Sequence, residues 1–244
     1  MQRRAFLETI NNHYLDDFVY ISYYPLYNRG FEVILFDGHD MENTLSIHNP
    51  TKEDVIFGSV EATNFYFNYI GVKSPSYLGY PEELKPFLLR NVYKVEYGKI
   101  NSKYPYFVKP AEGVKTFTGT LIRDENSEKL LKEFNNLTDQ TLVWFSEPID
   151  FISEFRCFVH NKELKGIQYY IGDFTKFPNT EKILEMVKTY QTSNCSYTLD
   201  VGVTKTGKTA LVEVNDMWAI GSYGFEPKTY VRMCIDRLLE IIKP

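Results

Sequence analysis

The chain has 244 residues, room for one large domain or two smaller ones. A net charge of −5 without any block of Lys and Arg argues against nucleic acid as the main partner. No run approaches the ~20 apolar residues that a membrane-spanning helix needs, and the composition is that of a soluble globular protein.

In chain order, the first seventeen residues carry bases but no apolar core of a signal, so a secretory leader is not expected. Residues 18–23 and 32–36 are apolar, strand-like runs, and 54–59 reads as a short buried strand ending in a turn. Residues 61–70 have helical character, closed by Gly71. Strands alternating with helices predict a small N-terminal α/β unit over residues 1–85. The Gly-, Pro- and Ser-rich stretch 71–86 reads as a linker.

Residues 86–244 change character and predict an α+β unit in which antiparallel strands mix with helices. Strands are expected at 106–110, stopped by Pro110, then at 117–122 and 142–145. Two more, 152–160 and 164–170, flank a turn at Asn161 and Lys162. Helices are expected at 128–135, 180–190 and 227–242, the last amphipathic. The cysteines, Cys157, Cys195 and Cys234, are odd in number and lack metal-ligand spacing. Reduced thiols and a cytoplasmic location are therefore expected. His13, His39, His48 and His160 are scattered and form no zinc pattern.

Residues 196–224 invite two incompatible readings. Gly202 to Thr209, GVTKTGKT, fits the phosphate-binding pattern G-x-x-x-x-G-K-[ST], which needs a helix after the glycines. The residues that follow, Ala210 to Asn215, alternate with a period of two, the mark of a strand. Thr-Lys-Thr-Gly-Lys between two such runs is hairpin-turn chemistry, and that reading is preferred. In a hairpin, Glu213 and Asn215 share one face and Asp200 comes roughly opposite Glu213. Three oxygen-bearing side chains then converge, as magnesium prefers. The bland alternative is an edge hairpin with a solvated polar face.

Other candidates are individually unspecific. Lys109 ends an apolar strand and could project into a cleft, or simply reach solvent. Lys115 lies in a loop with Gly113 that would suit a lid over a triphosphate, or is an exposed loop lysine. Glu154 and Arg156 share a strand face; Arg156 could bind a carboxylate or phosphate bidentately, or form a structural pair with Glu154. No Ser/His/Asp or Cys/His nucleophile set is visible. Trp218 and Tyr223, in the loop NDMWAIGSYG, could line an acceptor pocket or only pack.

Taken in order, FVKP, the Gly/Lys loop, VWFSEP, EFR, LDVGV and LVEVND resemble the ATP-grasp superfamily. The similarity is greatest to its short clade with one signature arginine and two lysines, related to enzymes that ligate glutamate to ribosomal protein. It extends over roughly residues 53–224, including DVIFGSVEA and YPEELKPFLLR. The resemblance implies an N-terminal pre-ATP-grasp α/β domain before an α+β ATP-grasp domain whose two subdomains clasp the nucleotide. It implies ATP and Mg2+ as cofactors. Lys109 and Lys115 would bind the nucleotide, and Lys115 would also act in catalysis. Trp144, Phe145 and Ser146 would supply the hinge against adenine, with Glu147 near the ribose and Glu154 in the same cofactor-binding set. Asp200, Glu213 and Asn215 would hold the metal, and Arg156 would face the transferred group. The implied activity is carboxylate–amine ligation through an acylphosphate. Its partners would be a small-molecule or peptide carboxylate and an amine acceptor, with a homodimer permitted. A phosphotransferase and a non-catalytic nucleotide-binding module are the competing readings.

Overall fold

The computed structural model describes residues 3–111 and 117–243. Its first sheet is built on β1 (Arg4–Ile10), with β2 (His13–Tyr14) antiparallel beside it. Strands β3 (Glu32–Asp37) and β4 (Val55–Phe57) run parallel to β1, one on each side. Between them come α1 (Asp17–Tyr20), α2 (Tyr23–Tyr27) and α3 (Met41–His48), and after β4 comes α4 (Val60–Tyr69). This is the expected parallel α/β unit, but β1 itself escaped the sequence reading. It is buried on both faces, so its side chains do not alternate, and a short apolar run without period has no distinct signature.

Residues 18–23, expected as a strand, instead run from α1 through a turn at Ile21 and Ser22 into the start of α2. The Asp16 carboxylate accepts from the Asp17 amide and caps α1, so the chain turns where an apolar run suggested extension. Phe18 and Val19 go into the core, while Tyr20, Tyr24 and Tyr27 stay exposed. Serine does the same for α4: the Ser59 hydroxyl accepts from the Ala62 amide, and Gly71 closes the helix at φ +68°.

Two antiparallel sheets follow. One has the order β5-β8-β6-β7, made of Val92–Glu96, Leu142–Ser146, Tyr106–Pro110 and Thr120–Ile122, with α5 (Glu125–Asn135) after β7. The other has the order β10-β9-β11-β12, made of Glu163–Gly172, Phe151–His160, Ser196–Thr204 and Thr209–Asp216. Helix α6 (Thr180–Thr189) packs on this sheet through Ile183, Met186 and Val187. The terminal helix α7 (Pro227–Ile242) returns to the N-terminal unit, where Tyr230, Val231 and Leu238 share a core with Phe6, Phe57 and Phe67.

The stretch 71–86 is more than a tether. Tyr80 and Leu84 are buried in the core beneath β9 and β11, and Gly79 forms an isolated bridge with Val214 of β12. Its turn-forming composition was legible; the packing of its few large side chains was not.

Candidate active site

The hairpin that carries the site forms as its alternation predicts. Chain reversal occurs at Thr204–Lys208, with Gly207 at φ +78°, and β12 follows where a P-loop would need a helix. Lys208 is exposed on the turn. The P-loop reading of GVTKTGKT therefore falls.

Register sets the chemistry. Asp200 on β11 lies opposite Glu213 on β12 and, on its other side, opposite Arg156 on β9. A bulge follows directly after the Asp200–Glu213 pair. Asn215 is two residues beyond Glu213, so Arg156, Asp200, Glu213 and Asn215 cover adjacent positions of one sheet face. Buried Phe155, Cys157, Leu199 and Val201 fill the opposite face.

These groups are bonded to one another. Arg156 donates to Asp200 through Nε (2.8 Å to Oδ1) and a terminal nitrogen (2.7 Å to Oδ2), a bidentate pair that is almost wholly buried. Its other terminal nitrogen donates to the Gly221 carbonyl at 3.1 Å. The Asn215 amide bridges Asp200 Oδ2 and Glu213 Oε1, both at 3.2 Å. Glu213 Oε2 takes the ammonium of Lys109, which projects from β6 in the other antiparallel sheet. Two sheets thus meet at one ion pair.

Electrostatics follow from this geometry. Burial alone would raise the Glu213 pKa, but the Lys109 ammonium outweighs it and brings it down to about 2. Burial opposes the Lys109 charge in turn, and Glu213 overcomes that, holding the lysine above its ordinary value. Burial likewise works against Arg156, whose partner Asp200 keeps it firmly charged. Glu154, two residues before Arg156, is different. Burial raises its carboxyl, and its bond is from the Tyr170 hydroxyl at 2.7 Å rather than from a cation.

The remaining sequence candidates divide. Trp144 lies opposite Lys109 in the β6–β8 ladder, and its ring meets Tyr80 edge-on at 4.9 Å. Its indole nitrogen is buried and, among the described residues, has no hydrogen-bond partner. The Phe145 side chain points the other way, into the core with Tyr106 and Val108, which leaves only its backbone for a ligand on the Trp144 side. Ser146 accepts from Arg90 at 2.9 Å. Glu147 is exposed and takes two hydrogen bonds from Asn91, of 2.9 and 2.8 Å. Among the described residues no hydrogen bond or ion pair joins it to the acid cluster; it lines a cavity of about 430 Å³ with Arg90 and Tyr93 instead. Lys115 and Gly113 lie outside the described residues.

Several neighbours of these groups were missed, or seen only as part of a longer motif. Tyr77 and Tyr80 surround the Lys109 ammonium, with ring centroids at 5.1 and 4.3 Å. Tyr170 and Tyr223 stack at 5.0 Å beside Arg156, whose guanidinium carbon is 4.8 Å from the Tyr223 centroid. Arg90 bridges the two antiparallel sheets. It donates to the Leu211 carbonyl at 2.8 Å and the Val212 carbonyl at 3.2 Å as well as to Ser146. Tyr80 and Arg90 left a trace in sequence as the two ends of YPEELKPFLLR, and Tyr223 as a candidate in the loop NDMWAIGSYG. Tyrosine is too common in this chain for Tyr77 or Tyr170 to stand out.

The donor set suits a hard cation. Asp200 and Glu213 supply two carboxylates and Asn215 an amide oxygen, and magnesium is typically held by one or two carboxylates while keeping phosphate and water ligands. Among the described residues no cluster of three or more His, Cys, Asp and Glu side chains forms a fuller metal cage. Elsewhere, Ser196, His160 and Asp236 are linked at 2.7 and 3.3 Å like a hydrolytic relay. Ser196 is fully buried, so no substrate reaches its hydroxyl.

This arrangement, two antiparallel sheets facing each other across a lysine–glutamate contact behind an α/β unit, is that of an ATP-grasp protein. A model of the ATP-grasp domain, for family 2 of the clade named after one arginine and two lysines, matches residues 87–233, and the chain belongs to that family. Among solved structures, D-alanine–D-alanine ligase from Bacillus anthracis superposes with a TM-score of 0.61 at 10% identity, covering 100% of this chain and 99% of that one. A RimK domain ATP-grasp protein from Sphaerobacter thermophilus gives 0.53 at 15% identity, covering 99% and 100%. An L-amino acid ligase from Bacillus licheniformis gives 0.54 at 13% identity, covering 100% and 76%. The comparison with curated proteins finds no match.

Proposed function

We propose that this protein is an ATP-dependent ligase that joins a carboxylate to an amine through an acylphosphate, releasing ADP and phosphate. The observation that carries this reading is the meeting of Lys109 with Glu213 across the two sheets, flanked by Asp200, Asn215 and Arg156. Fold relatives named as ligases, two of them for amino acids, support it. In this reading residues 1–85 form the unit in front of the nucleotide and residues 86–244 hold it.

Phosphoryl transfer requires positioning and charge neutralisation more than a covalent side chain. Lys109 and Lys115 would bind phosphate oxygens. The backbone at Trp144, Phe145 and Ser146 would meet the adenine, and Glu147 and Glu154 would serve the rest of the nucleotide. Arg156, kept charged by Asp200, would face the phosphoryl group as it moves to the substrate carboxylate. Magnesium held by Asp200, Glu213 and Asn215 would neutralise phosphate charge. The amine would then attack the activated carbonyl near Tyr170 and Tyr223.

The test is release of ADP and phosphate across a panel of carboxylic acids and amines. Turnover that requires both an acid and an amine, with an amide product, supports the ligase. A stable phosphorylated product without amide would make it a phosphotransferase, and ATP binding without turnover on any acid would leave a nucleotide-binding module.

A further inference from the structure

The segment that precedes the first antiparallel sheet enters the site through one hydroxyl. Gly79 exchanges two backbone hydrogen bonds with Val214, of 3.0 and 2.8 Å, between Glu213 and Asn215 in sequence. Gly79 has φ +58°, and a Cβ there would come within 2.9 Å of the Tyr77 ring and 3.3 Å of the Trp144 indole nitrogen. The bare backbone thus leaves room for Tyr77 to lie over the site. The Tyr77 hydroxyl donates to Glu213 Oε2 at 2.7 Å and accepts from Lys109 Nζ at 2.8 Å.

The acceptor sites of Glu213 are nearly used up. Its Oε2 receives both the Lys109 ammonium and the Tyr77 hydroxyl, which uses the two lone pairs of a carboxylate oxygen. Glu213 Oε1 receives the Asn215 amide. The charges balance as well, Lys109 and Arg156 against Glu213 and Asp200. A cation cannot take Glu213 Oε2 without displacing one of its two donors. Lys109 is anchored on a strand, whereas Tyr77 lies in irregular chain and is 43% exposed, so Tyr77 is the donor that can leave.

We propose that Tyr77 is a latch on the nucleotide site: its hydroxyl holds the Lys109–Glu213 pair closed in the free protein and is released when Glu213 turns to a divalent cation. The proposal rests on the ATP–magnesium reading above and adds a residue that regulates that site. A contact made only in the free state stabilises that state and weakens ligand binding by the same factor.

The experiment compares wild type with Tyr77→Phe, which removes one oxygen atom from a partly exposed ring. Binding of a non-hydrolysable ATP analogue with Mg2+ is followed by calorimetry, and melting by scanning with and without ligand. The latch predicts a lower Tm for the free variant, a Kd smaller by about two- to tenfold, the worth of one net hydrogen bond, and a larger ligand-induced rise in Tm. An unchanged or larger Kd in the variant, with the wild type binding, overturns the latch alone. Failure of the wild type to bind the analogue with Mg2+ overturns both the latch and the ATP reading.

Discussion

Arg156 grips Asp200 with two parallel hydrogen bonds of 2.8 and 2.7 Å, on adjacent strands at directly facing positions. Both side chains are almost wholly buried. Each therefore depends on the other: burial pushes the Asp200 carboxyl up and Arg156 opposes that rise, while Asp200 keeps the buried guanidinium charged.

Removing one partner strands the other. Arg156→Ala should lower stability by about 3–5 kcal/mol, because Asp200 would be left as an uncompensated buried charge. Replacing both with apolar residues, Arg156→Met with Asp200→Leu, should restore most of that loss and still leave no ligation. Urea unfolding of the three proteins checks the first part, and ADP release the second. Equal destabilisation of the single and double variants would mean that the pair is not what holds this region.

Acid should act through Glu213. Its carboxyl sits at about 2 in the folded protein, against 4.5 as the ordinary value. The stability that its ionised form contributes is therefore complete above pH 4.5 and is lost as pH falls toward 2. The stability gap between wild type and Glu213→Gln should be flat from pH 5 to 8, on the order of 2–4 kcal/mol, and close below pH 4.5. A gap that stays constant down to pH 3 would show that Lys109 does not hold Glu213 ionised.

Arg90 should matter for the joint between the antiparallel sheets. It donates to Ser146 on one sheet and to the Leu211 and Val212 carbonyls on the other, as well as to its own neighbour Leu88. Arg90→Ala should cost about 2–4 kcal/mol, from several charge-assisted hydrogen bonds and their orphaned carbonyls. Hydrogen exchange should show faster opening at the amides of β8 and β12 than in distant β1. Uniform acceleration across all three sheets would argue for general destabilisation instead.

Sequence revealed the site more fully than the path to it. Alternation at 210–215 fixed the hairpin, and spacing alone put Glu213 and Asn215 on one face opposite Asp200, as the register has it. The partners of Lys109 were out of reach, because they depend on how two sheets meet and not on any local period. Tyr77 lay in a stretch whose Gly, Pro and Ser residues advertised only a turn, and its role comes from the Gly79–Val214 bridge far along the chain. Helices α1 and α2 were mistaken for a strand for a related reason. Residues 18–23, apolar but for Ser22, have no period to read, and the Asp16 cap starts α1 where extension was expected. Glu147, expected near the ribose, is held by two hydrogen bonds from Asn91, a pairing that no local pattern announces.

The central claim is that the flanks of the hairpin, not its glycine-rich tip, handle the nucleotide. Calorimetric titration of ATP with and without Mg2+ into Lys208→Ala and Glu213→Ala tests it most directly. The account predicts that Lys208→Ala binds within about twofold of wild type, as an exposed turn residue should, while Glu213→Ala loses the Mg2+-dependent part of binding. Loss of binding in Lys208→Ala with Mg2+-dependent binding intact in Glu213→Ala would contradict it.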